Sequence, residues 1–294
     1  NKFLRVELDG ILCYVNATLI SNAELCMSDY DPAKVAIRPA ATVMLVDDRP
    51  DLQVLMMQRH ANTVFAGGMW VFPGGSVDAA DDSQEYQAIS VHRTDEEASQ
   101  LMGLQSGGLA FYVAAIRESF EEAGIMLAIH KESAGSVDLS DGSTATRFES
   151  YRDEVNQGNR DFIEVVRRED LLLDVAAMHY VAHWITPEGP PRRFSARFFV
   201  ARMPDGQTPL HDNRETVHAE WLAPHTILER FDREEMVLMT PTLRMIKSLA
   251  LFRSAREVIE AAEANQDDQR ARVVPSSGEI VMPGEPGYEQ GVEN

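Results

Sequence analysis

The segment 109–127 (LAFYVAAIRESFEEAGIML) constrains the fold most strongly, because it has the pattern of a half-buried helix with an unusual polar side. In a helix, Glu118, Glu121 and Glu122 stand at i, i+3 and i+4 and therefore share one side. Carboxylates at this spacing repel each other by roughly 0.2–0.5 kcal/mol per pair. A divalent cation is the simplest compensation, so the sequence predicts a metal-binding side on this helix. The opposite side is apolar, and we expect its residues to be buried: Leu109, Tyr112, Val113, Ile116, Phe120 and Ile125.

A second feature is the abrupt end of an apolar stretch in the run 70–75 (WVFPGG). Proline followed by two glycines stops a strand and allows the backbone to approach a ligand closely. A loop rich in carboxylates follows the turn and contains Asp78 and Asp81. Taken alone, such a turn is common, and the two aspartates are equally well explained as solvated loop residues. The combination with the acidic helix makes the turn and the loop candidates for one site.

The turn, the acidic loop and the helix together resemble the signature of the Nudix hydrolase family. That signature is Gly, five residues, Glu, seven residues, then Arg-Glu-apolar-x-Glu-Glu-x-Gly-apolar. Its second half stands here as 117–125 (RESFEEAGI), and its first half as 75–81 (GSVDAAD). Asp81 replaces the first Glu of the signature, and Ser119 replaces an apolar residue, whose contact Phe120 is expected to supply. The halves are separated by 35 residues, 82–116, where the signature has seven.

This long insertion after FPGG resembles the branch of the family related to the mammalian peroxisomal coenzyme A diphosphatase. The downstream runs 183–187 (HWITP), 192–194 (RRF) and 241–242 (PT) also resemble that branch, so the similarity covers most of residues 39–252. The coenzyme A subgroup has a further signature before FPGG, which is met only in part. Arg59, Gly68 and Phe72 fit it, but Val64 stands where an arginine is expected. The sequence therefore leaves the substrate open.

The resemblance implies hydrolysis of a pyrophosphate in a nucleoside diphosphate linked to another group, coenzyme A and its acyl derivatives being examples. A pyrophosphate is multiply charged, so attack by water requires Mg²⁺ or Mn²⁺ to neutralise its oxygens and activate the nucleophile. By the motif, Glu121 and Glu122 are primary metal ligands, and the Gly75 carbonyl is another. Glu118 is a further ligand or the base that activates water. Arg117 belongs to the catalytic motif, and we expect it to pair with a carboxylate and orient the helix.

Other residues are candidates by type and position. Glu215, in the loop 212–215, is a further base or ligand if it is not a solvated loop residue, because some family members place a catalytic Glu late in the chain. Arginines suit phosphate binding, although surface and salt-bridge roles are the alternative. The substrate-binding candidates are Arg59, Phe72, Gly74, Arg193 and Arg197. His179 and His183 are four residues apart in a predicted strand, which puts both on one face beside Trp184; we interpret them as core or surface histidines.

We predict an α/β Nudix fold in which a mixed sheet lies between helices. The Nudix domain spans 39–264, with insertions near 82–108 and 131–177 and a C-terminal helical extension. Residues 1–38 form an N-terminal segment packed on this core, and 265–294 an acidic tail rich in Pro and Gly with at most one small hairpin. The predicted strands are 39–47, 52–58, 180–184, 193–201 and 220–222. The predicted helices begin at Thr94 with a capping box to Glu97, and continue with 109–127, most of 145–177, 224–231 and 242–264.

Charge narrows the classes of partner. The net charge of −20 disfavours non-specific binding to nucleic acid or to an anionic membrane surface, so we expect neither partner. The alternatives to a metal-dependent diphosphatase are a non-catalytic Nudix module that senses a nucleotide and, more weakly, a hydrolase of capped RNA. Cys13 and Cys26 fit reduced thiols, and no apolar run reaches the ~20 residues of a membrane span, so a cytoplasmic location is expected. A homodimer, paired through the N-terminal strand, is one arrangement that the resemblance allows.

Overall fold

A mixed β-sheet forms the centre of this computed structural model, which describes residues 3–8, 11–16, 31–61, 63, 66–210, 216–265, 270–277 and 279–292. The strands of the described part are, in chain order, β1 (Phe3–Leu8), β2 (Ile11–Asn16), β3 (Ile37–Asp48), β4 (Leu52–Arg59), β5 (Trp70–Val71), β6 (Gly74–Ser76), β7 (Ser90–Val91), β8 (Ala128–His130), β9 (Leu171–Asp174), β10 (Met178–Ile185), β11 (Arg193–Arg202), β12 (Thr216–Leu222), β13 (Arg272–Val273) and β14 (Ile280–Val281). The α-helices of the same part are α1 (Gln84–Ile89), α2 (Asp95–Leu101), α3 (Gly108–Ala123), α4 (Gly142–Asn156), α5 (Phe162–Arg168), α6 (Pro224–Asp232), α7 (Thr240–Leu249) and α8 (Ala255–Ala264).

The strands of the main sheet follow the order β10-β11-β3-β4-β12, with β6 paired to β3 and β5 paired to β4. β11 runs parallel to β3, and the other pairs are antiparallel. Ala41 of β3 lies directly between Gly75 of β6 and Arg197 of β11. Residues opposite each other in neighbouring strands point to the same face, so this row joins the glycine turn to β11.

Helices cover both faces of the main sheet, as predicted. The apolar side of α3 packs on one face, where Tyr112, Ile116 and Phe120 are buried. The other face packs on α6, α7 and α8, and this second core contains Trp70, Phe72 and Trp184. The predicted hairpin of 39–47 and 52–58 is confirmed by β3 and β4, and the capping box of Thr94 and Glu97 begins α2.

The central helix is shorter than predicted. It ends at Ala123 because Gly124 adopts the left-handed conformation, with φ 70° and ψ 15°. The Gly124 and Ile125 amides donate to the carbonyls of Phe120 and Ser119, which closes the helix in the way typical of a C-terminal glycine. Residues after Gly124 therefore leave the helix and lead to β8.

Two further helix predictions are wrong in part. Within 145–177, α4 and α5 are confirmed, but Leu171–Asp174 is strand β9, which pairs with β7 and β8 and so joins the two predicted insertions in a small sheet. Within 242–264, the chain forms two helices rather than one. The second begins because the Ser254 side chain accepts a hydrogen bond from the Glu257 amide, and Asp48 accepts one from Ala255.

The prediction that His179 and His183 share one face is wrong. A β-bulge between Tyr180 and Ala182 shifts the register, so that His179 lies opposite Val200 whereas His183 lies opposite Arg197. Positions 197 and 200 of β11 are three apart, so the two histidines point to opposite faces of the sheet.

The predicted division into an N-terminal segment, a Nudix domain and a tail stays a prediction. Phe3–Leu8 pairs antiparallel with Ile11–Asn16, and Arg272–Val273 pairs antiparallel with Ile280–Val281, where a small hairpin is predicted near the C-terminus. Cys26 lies outside the described residues. Among the helices that the structure describes, none combines the length and the apolar character needed to cross a membrane.

Candidate active site

The glycine turn docks directly on α3. The Gly74 amide donates a hydrogen bond to the Glu122 carboxylate, with 2.9 Å between N and Oε2. A Cβ on Gly74 would lie 2.7 Å from Thr42 Cα, and a Cβ on Gly75 would lie under 3.0 Å from the carboxylate atoms of Glu118. The backbone of β3 therefore requires glycine at position 74, whereas a side chain at position 75 would displace the Glu118 carboxylate. The structure brings together the halves of the motif that are 35 residues apart in sequence.

Arg117 is the centre of the site. Its Nε and Nη2 donate to the two carboxylate oxygens of Asp81, both at 3.1 Å. Its Nη1 lies 2.9 Å from Glu118 Oε1 and 3.2 Å from Glu121 Oε2. Nη2 also donates to the Ser76 carbonyl at 2.9 Å. The guanidinium therefore binds β6, the acidic loop and two glutamates of α3, so the expected pairing with carboxylates is present, and the orienting role stays a prediction.

Asp81 is buried, with a relative exposure of 2%, so its interpretation as a solvated loop residue is wrong. Besides the two bonds from Arg117, it accepts a hydrogen bond from the Asp78 amide, with 2.9 Å between N and Oδ2. The Asp78 side chain itself is 65% exposed and lies 3.5 Å from Arg117 Nη2. Asp81 thus occupies its signature position as an anchor for Arg117.

The site has more negative than positive charge. Burial raises the pKa of Glu118 to about 7, and repulsion by Glu121 adds to this effect. Burial also raises the pKa of Asp81 and of Glu121, although Arg117 opposes it in both cases. Burial disfavours the charged form of Arg117, but its bonds to Asp81 and the nearby glutamates outweigh this and raise its pKa. A second cation beside these carboxylates is Arg59, with Nη1 3.8 Å from Glu122 Oε1.

The donor chemistry of the cluster fits a hard divalent cation. All of its anionic donors are carboxylate oxygens, which Mg²⁺ and Mn²⁺ prefer, and one or two guanidinium groups do not balance them. Within the described part of the chain, however, no three His, Cys, Asp or Glu side chains are already arranged as a metal cage. Glu118 and Glu121 turn to Arg117 instead, and Glu122 turns to the Gly74 amide.

Comparison with known proteins agrees with this geometry. A family model described as the NUDT19 Nudix domain matches residues 91–249, which is more than half of the chain. The chain belongs to the Nudix hydrolase family. Nudix hydrolases generally use divalent metal ions and act on small nucleotides. The predicted family is confirmed, and the description of the matching family model agrees with the predicted resemblance to the coenzyme A diphosphatase branch.

Relatives and solved structures support the family and the fold. The chain is 28% identical over 234 residues to the acyl-coenzyme A diphosphatase NUDT19 of Homo sapiens, covering 70% of this chain and 62% of that protein. It is 27% identical to the protein of the same name from Gallus gallus, over 75% of this chain and 70% of that one. The chain thus spans about three fifths of the human relative. A Nudix hydrolase from Alicyclobacillus acidocaldarius superposes with a TM-score of 0.63 at 22% identity, covering 77% of this chain and 97% of that one, which confirms the α/β Nudix fold.

Arg152 of α4 is a site residue that the sequence motifs do not predict. It is buried, and its Nε donates to the Glu121 carbonyl at 2.8 Å, while Nη2 donates to the Glu122 carbonyl at 2.5 Å. Asn156 adds a bond to the Glu121 carbonyl at 3.1 Å. The last carbonyls of a helix have no partner within the helix, so Arg152 and Asn156 fix the end of the Nudix helix α3. One local signal points to Arg152. It stands at the helical spacing of Phe148 and Val155, which lie on the side of α4 that faces the core.

The remaining candidates lie in different surroundings. Arg59 lies beside Glu122, as described, whereas Phe72 packs in the core on the face opposite α3, so the structure does not bring it to the carboxylates. Arg193 is buried and donates from Nε to the Thr186 carbonyl at 2.9 Å, which holds the connection between β10 and β11. Arg197 is buried on the same face of the sheet as Gly75. Glu215 lies outside the described residues.

Proposed function

We propose that this chain is a Mg²⁺- or Mn²⁺-dependent diphosphatase that hydrolyses the pyrophosphate of a nucleoside diphosphate derivative, with coenzyme A or an acyl-coenzyme A as the leading substrate. One observation carries the reaction type: the buried cluster in which the glycine turn, Arg117 and three glutamates meet with an excess of negative charge. The names of the curated relatives, acyl-coenzyme A diphosphatases, support the substrate class.

Each residue of the cluster has a role in this proposal. Glu121 and Glu122 would hold the cation, together with the Gly75 carbonyl, and Glu118 would be either a further ligand or the base that takes a proton from water. When bound, the cation neutralises diphosphate oxygens and lowers the pKa of water. Arg117 holds Glu118 and Glu121 in place, and Asp81 anchors Arg117. Water adds to one phosphorus as the bridging P–O bond breaks, so two phosphate monoesters leave and a proton is released.

A substrate panel tests this proposal. Coenzyme A, ADP-ribose, NADH and dinucleoside polyphosphates are incubated with Mg²⁺ or Mn²⁺ and the wild type, Glu121→Gln or Glu169→Gln. Glu169 is a matched control because it also pairs with an arginine, Arg147, but lies outside the site. We expect Glu121→Gln to lose turnover by roughly 100-fold or more and Glu169→Gln to retain it, since the cation that Glu121 would hold neutralises negative charge in the transition state.

The outcomes are distinct. Equal turnover by Glu121→Gln and the wild type contradicts the metal-binding role of Glu121. Tight binding of a nucleotide without any metal-stimulated turnover by the wild type makes the chain a binding module instead of an enzyme. The homodimer and the cytoplasmic location stay predictions.

A further inference from the structure

Arg197 is a buried cation with no anion beside it in the part of the chain that the structure describes. Its relative exposure is 5%, and its Nε is buried with no hydrogen-bond acceptor. Its guanidinium makes no hydrogen bond or ion pair to any residue that the structure describes. In a chain with a net charge of −20, a buried arginine without a carboxylate is unusual. Its surroundings therefore call for a physical explanation.

The groups around Arg197 do not neutralise it. Its guanidinium carbon lies 4.1 Å from the centre of the Phe111 ring, on α3. Burial lowers the pKa of Arg197, the nearby Tyr180 partly offsets this, and the charge of Arg270 lowers it further. An aromatic face attracts a cation only weakly compared with a carboxylate or a phosphate. The guanidinium of Arg197 is thus desolvated, and none of the described residues provides the carboxylate or phosphate that would bind it most strongly.

The position of Arg197 connects it to the active site. Arg197, Ala41 and Gly75 are directly opposite one another in β11, β3 and β6. Neighbouring strands lie ~4.8 Å apart, so the Arg197 and Gly75 backbones are ~10 Å apart on one face of the sheet. Phe111, which packs on Arg197, and Glu118, which packs on Gly75, are seven residues apart on α3, which is also ~10 Å along one side of a helix. Both estimates place Arg197 ~10 Å from the carboxylates of α3, a distance that a single nucleotide can span.

We propose that Arg197 is a phosphate-binding subsite of this active site, which holds a phosphate monoester of the substrate ~10 Å from the scissile pyrophosphate. The subsite rests on the proposed function and narrows it to nucleotides that carry a phosphate in addition to the pyrophosphate. Coenzyme A has such a group on its ribose, whereas ADP-ribose and NADH do not. A guanidinium suits this ligand because it binds phosphate through two parallel hydrogen bonds.

A binding experiment tests the subsite without catalysis. Calorimetry in the absence of divalent cations compares adenosine 3′,5′-bisphosphate with AMP, using the wild type, Arg197→Met and Arg147→Met. We expect the wild type and Arg147→Met to prefer the bisphosphate by roughly 10- to 100-fold, and Arg197→Met to show no preference. Arg147→Met controls for the loss of one positive charge, because Arg147 is exposed and pairs with Glu169. A preference retained by Arg197→Met, or absent from the wild type, overturns the proposal.

Thermal denaturation separates binding from a structural role. Replacement of an unpaired buried cation by an apolar side chain of similar length removes a desolvation cost, so Arg197→Met should melt at or above the wild-type temperature. A structural role predicts the opposite, and a marked fall in melting temperature or failure to fold overturns the proposal. Arg197→Lys keeps the charge without the planar fork, and we expect it to keep only part of the preference for the bisphosphate.

Kinetics provide the last test. We expect kcat/KM of the wild type to be higher for coenzyme A than for 3′-dephospho-coenzyme A by roughly 10- to 100-fold, and the two values to be equal in Arg197→Met. An equal loss for both substrates in Arg197→Met overturns the subsite. If the wild type hydrolyses neither compound, coenzyme A fails as the leading substrate of the proposed function, and the calorimetric preference still decides whether Arg197 binds the second phosphate.

Discussion

Two arginine-centred clusters in this protein differ in how their charges balance. Arg117 lies within 3.5 Å of four carboxylates, those of Asp78, Asp81, Glu118 and Glu121. Arg147, on the surface of α4, binds a single carboxylate, that of Glu169 after the end of α5, through two hydrogen bonds of 2.9 and 3.0 Å. The Tyr151 hydroxyl donates to the same Glu169 carboxylate at 2.9 Å. The Arg117 cluster therefore has more carboxylates than cations, whereas in the Arg147 cluster one arginine neutralises one carboxylate.

The pKa values of the carboxylates show the consequence. Around Arg117, burial raises the pKa of Glu118 and Glu121 in spite of the guanidinium. Around Arg147, burial also acts against the charged form of Glu169, but the bonds from Arg147 and Tyr151 outweigh it and lower the pKa. Both clusters use similar groups, so the difference lies in the ratio of carboxylates to donors. We interpret the Arg147 cluster as a structural contact. We interpret the Arg117 cluster as a site whose excess negative charge favours binding of a further cation.

Replacement of the arginine at the centre of each cluster should give the largest difference in stability between the two clusters. Arg117→Met leaves Asp81 buried without its cation, so we expect the free energy of unfolding at pH 7 to fall by roughly 3–5 kcal/mol. Arg147→Met removes a solvent-exposed pair, and the expected loss is under about 1 kcal/mol. Urea denaturation of both variants without divalent cations measures the difference. Equal losses would show that the two clusters are equivalent.

Arg152 provides an intermediate effect. Arg152→Met leaves the Glu121 and Glu122 carbonyls without this donor, so we expect a loss of about 1–3 kcal/mol in stability. Because these carbonyls position the backbone of Glu121 and Glu122, whose carboxylates are the predicted metal ligands, the dissociation constant for Mn²⁺ should rise about 10-fold. Arg147→Met is the control on the same helix and should leave Mn²⁺ affinity unchanged. A variant that loses stability but binds Mn²⁺ normally would reduce Arg152 to a general packing role.

The smallest effect concerns pH. The folded pKa of Glu169 is lower than its unfolded value, so its contribution to stability is present above the unfolded value of 4.5 and is lost as pH falls through the folded pKa. Glu169→Gln should therefore be less stable than the wild type at pH 7, by under about 1 kcal/mol, and equally stable well below pH 4. Thermal melts from pH 7 to pH 3 measure this. A constant difference at all pH values would indicate that the carboxylate charge is not responsible.

Local patterns made much of the fold predictable from the sequence. The alternation in β3 and β4, the apolar side of α3 and the capping box at Thr94 each depend on residues close together in the chain. The end of α3 at Gly124 also had a local signal, a glycine after an amphipathic run, but the apolar residues that follow it favoured a longer helix. β9 was missed because its partners, β7 and β8, come from distant segments.

The site was predictable in its motif but not in its contacts. The pattern of Gly75, Arg117 and the three glutamates identified the family, and the structure places these residues together. The burial of Asp81 depends on an arginine 36 positions away, and the role of Arg152 on the docking of α4 against the end of α3. The bulge that places His179 and His183 on opposite faces cannot be recognised from the pattern of polar and apolar residues in β10. Such contacts are long-range, and a single sequence does not contain them.

The most direct test of the central claim is a Mn²⁺ titration of the metal-free protein, followed by the electron paramagnetic resonance signal of free Mn²⁺. The wild type, Glu121→Gln and Glu169→Gln are compared at pH 7.5, so that one glutamate is replaced in each cluster. We predict that the wild type and Glu169→Gln bind Mn²⁺ with the same affinity, and that Glu121→Gln binds at least about 10-fold more weakly. Equal binding by Glu121→Gln and the wild type would contradict the assignment of the cation to the carboxylates of α3.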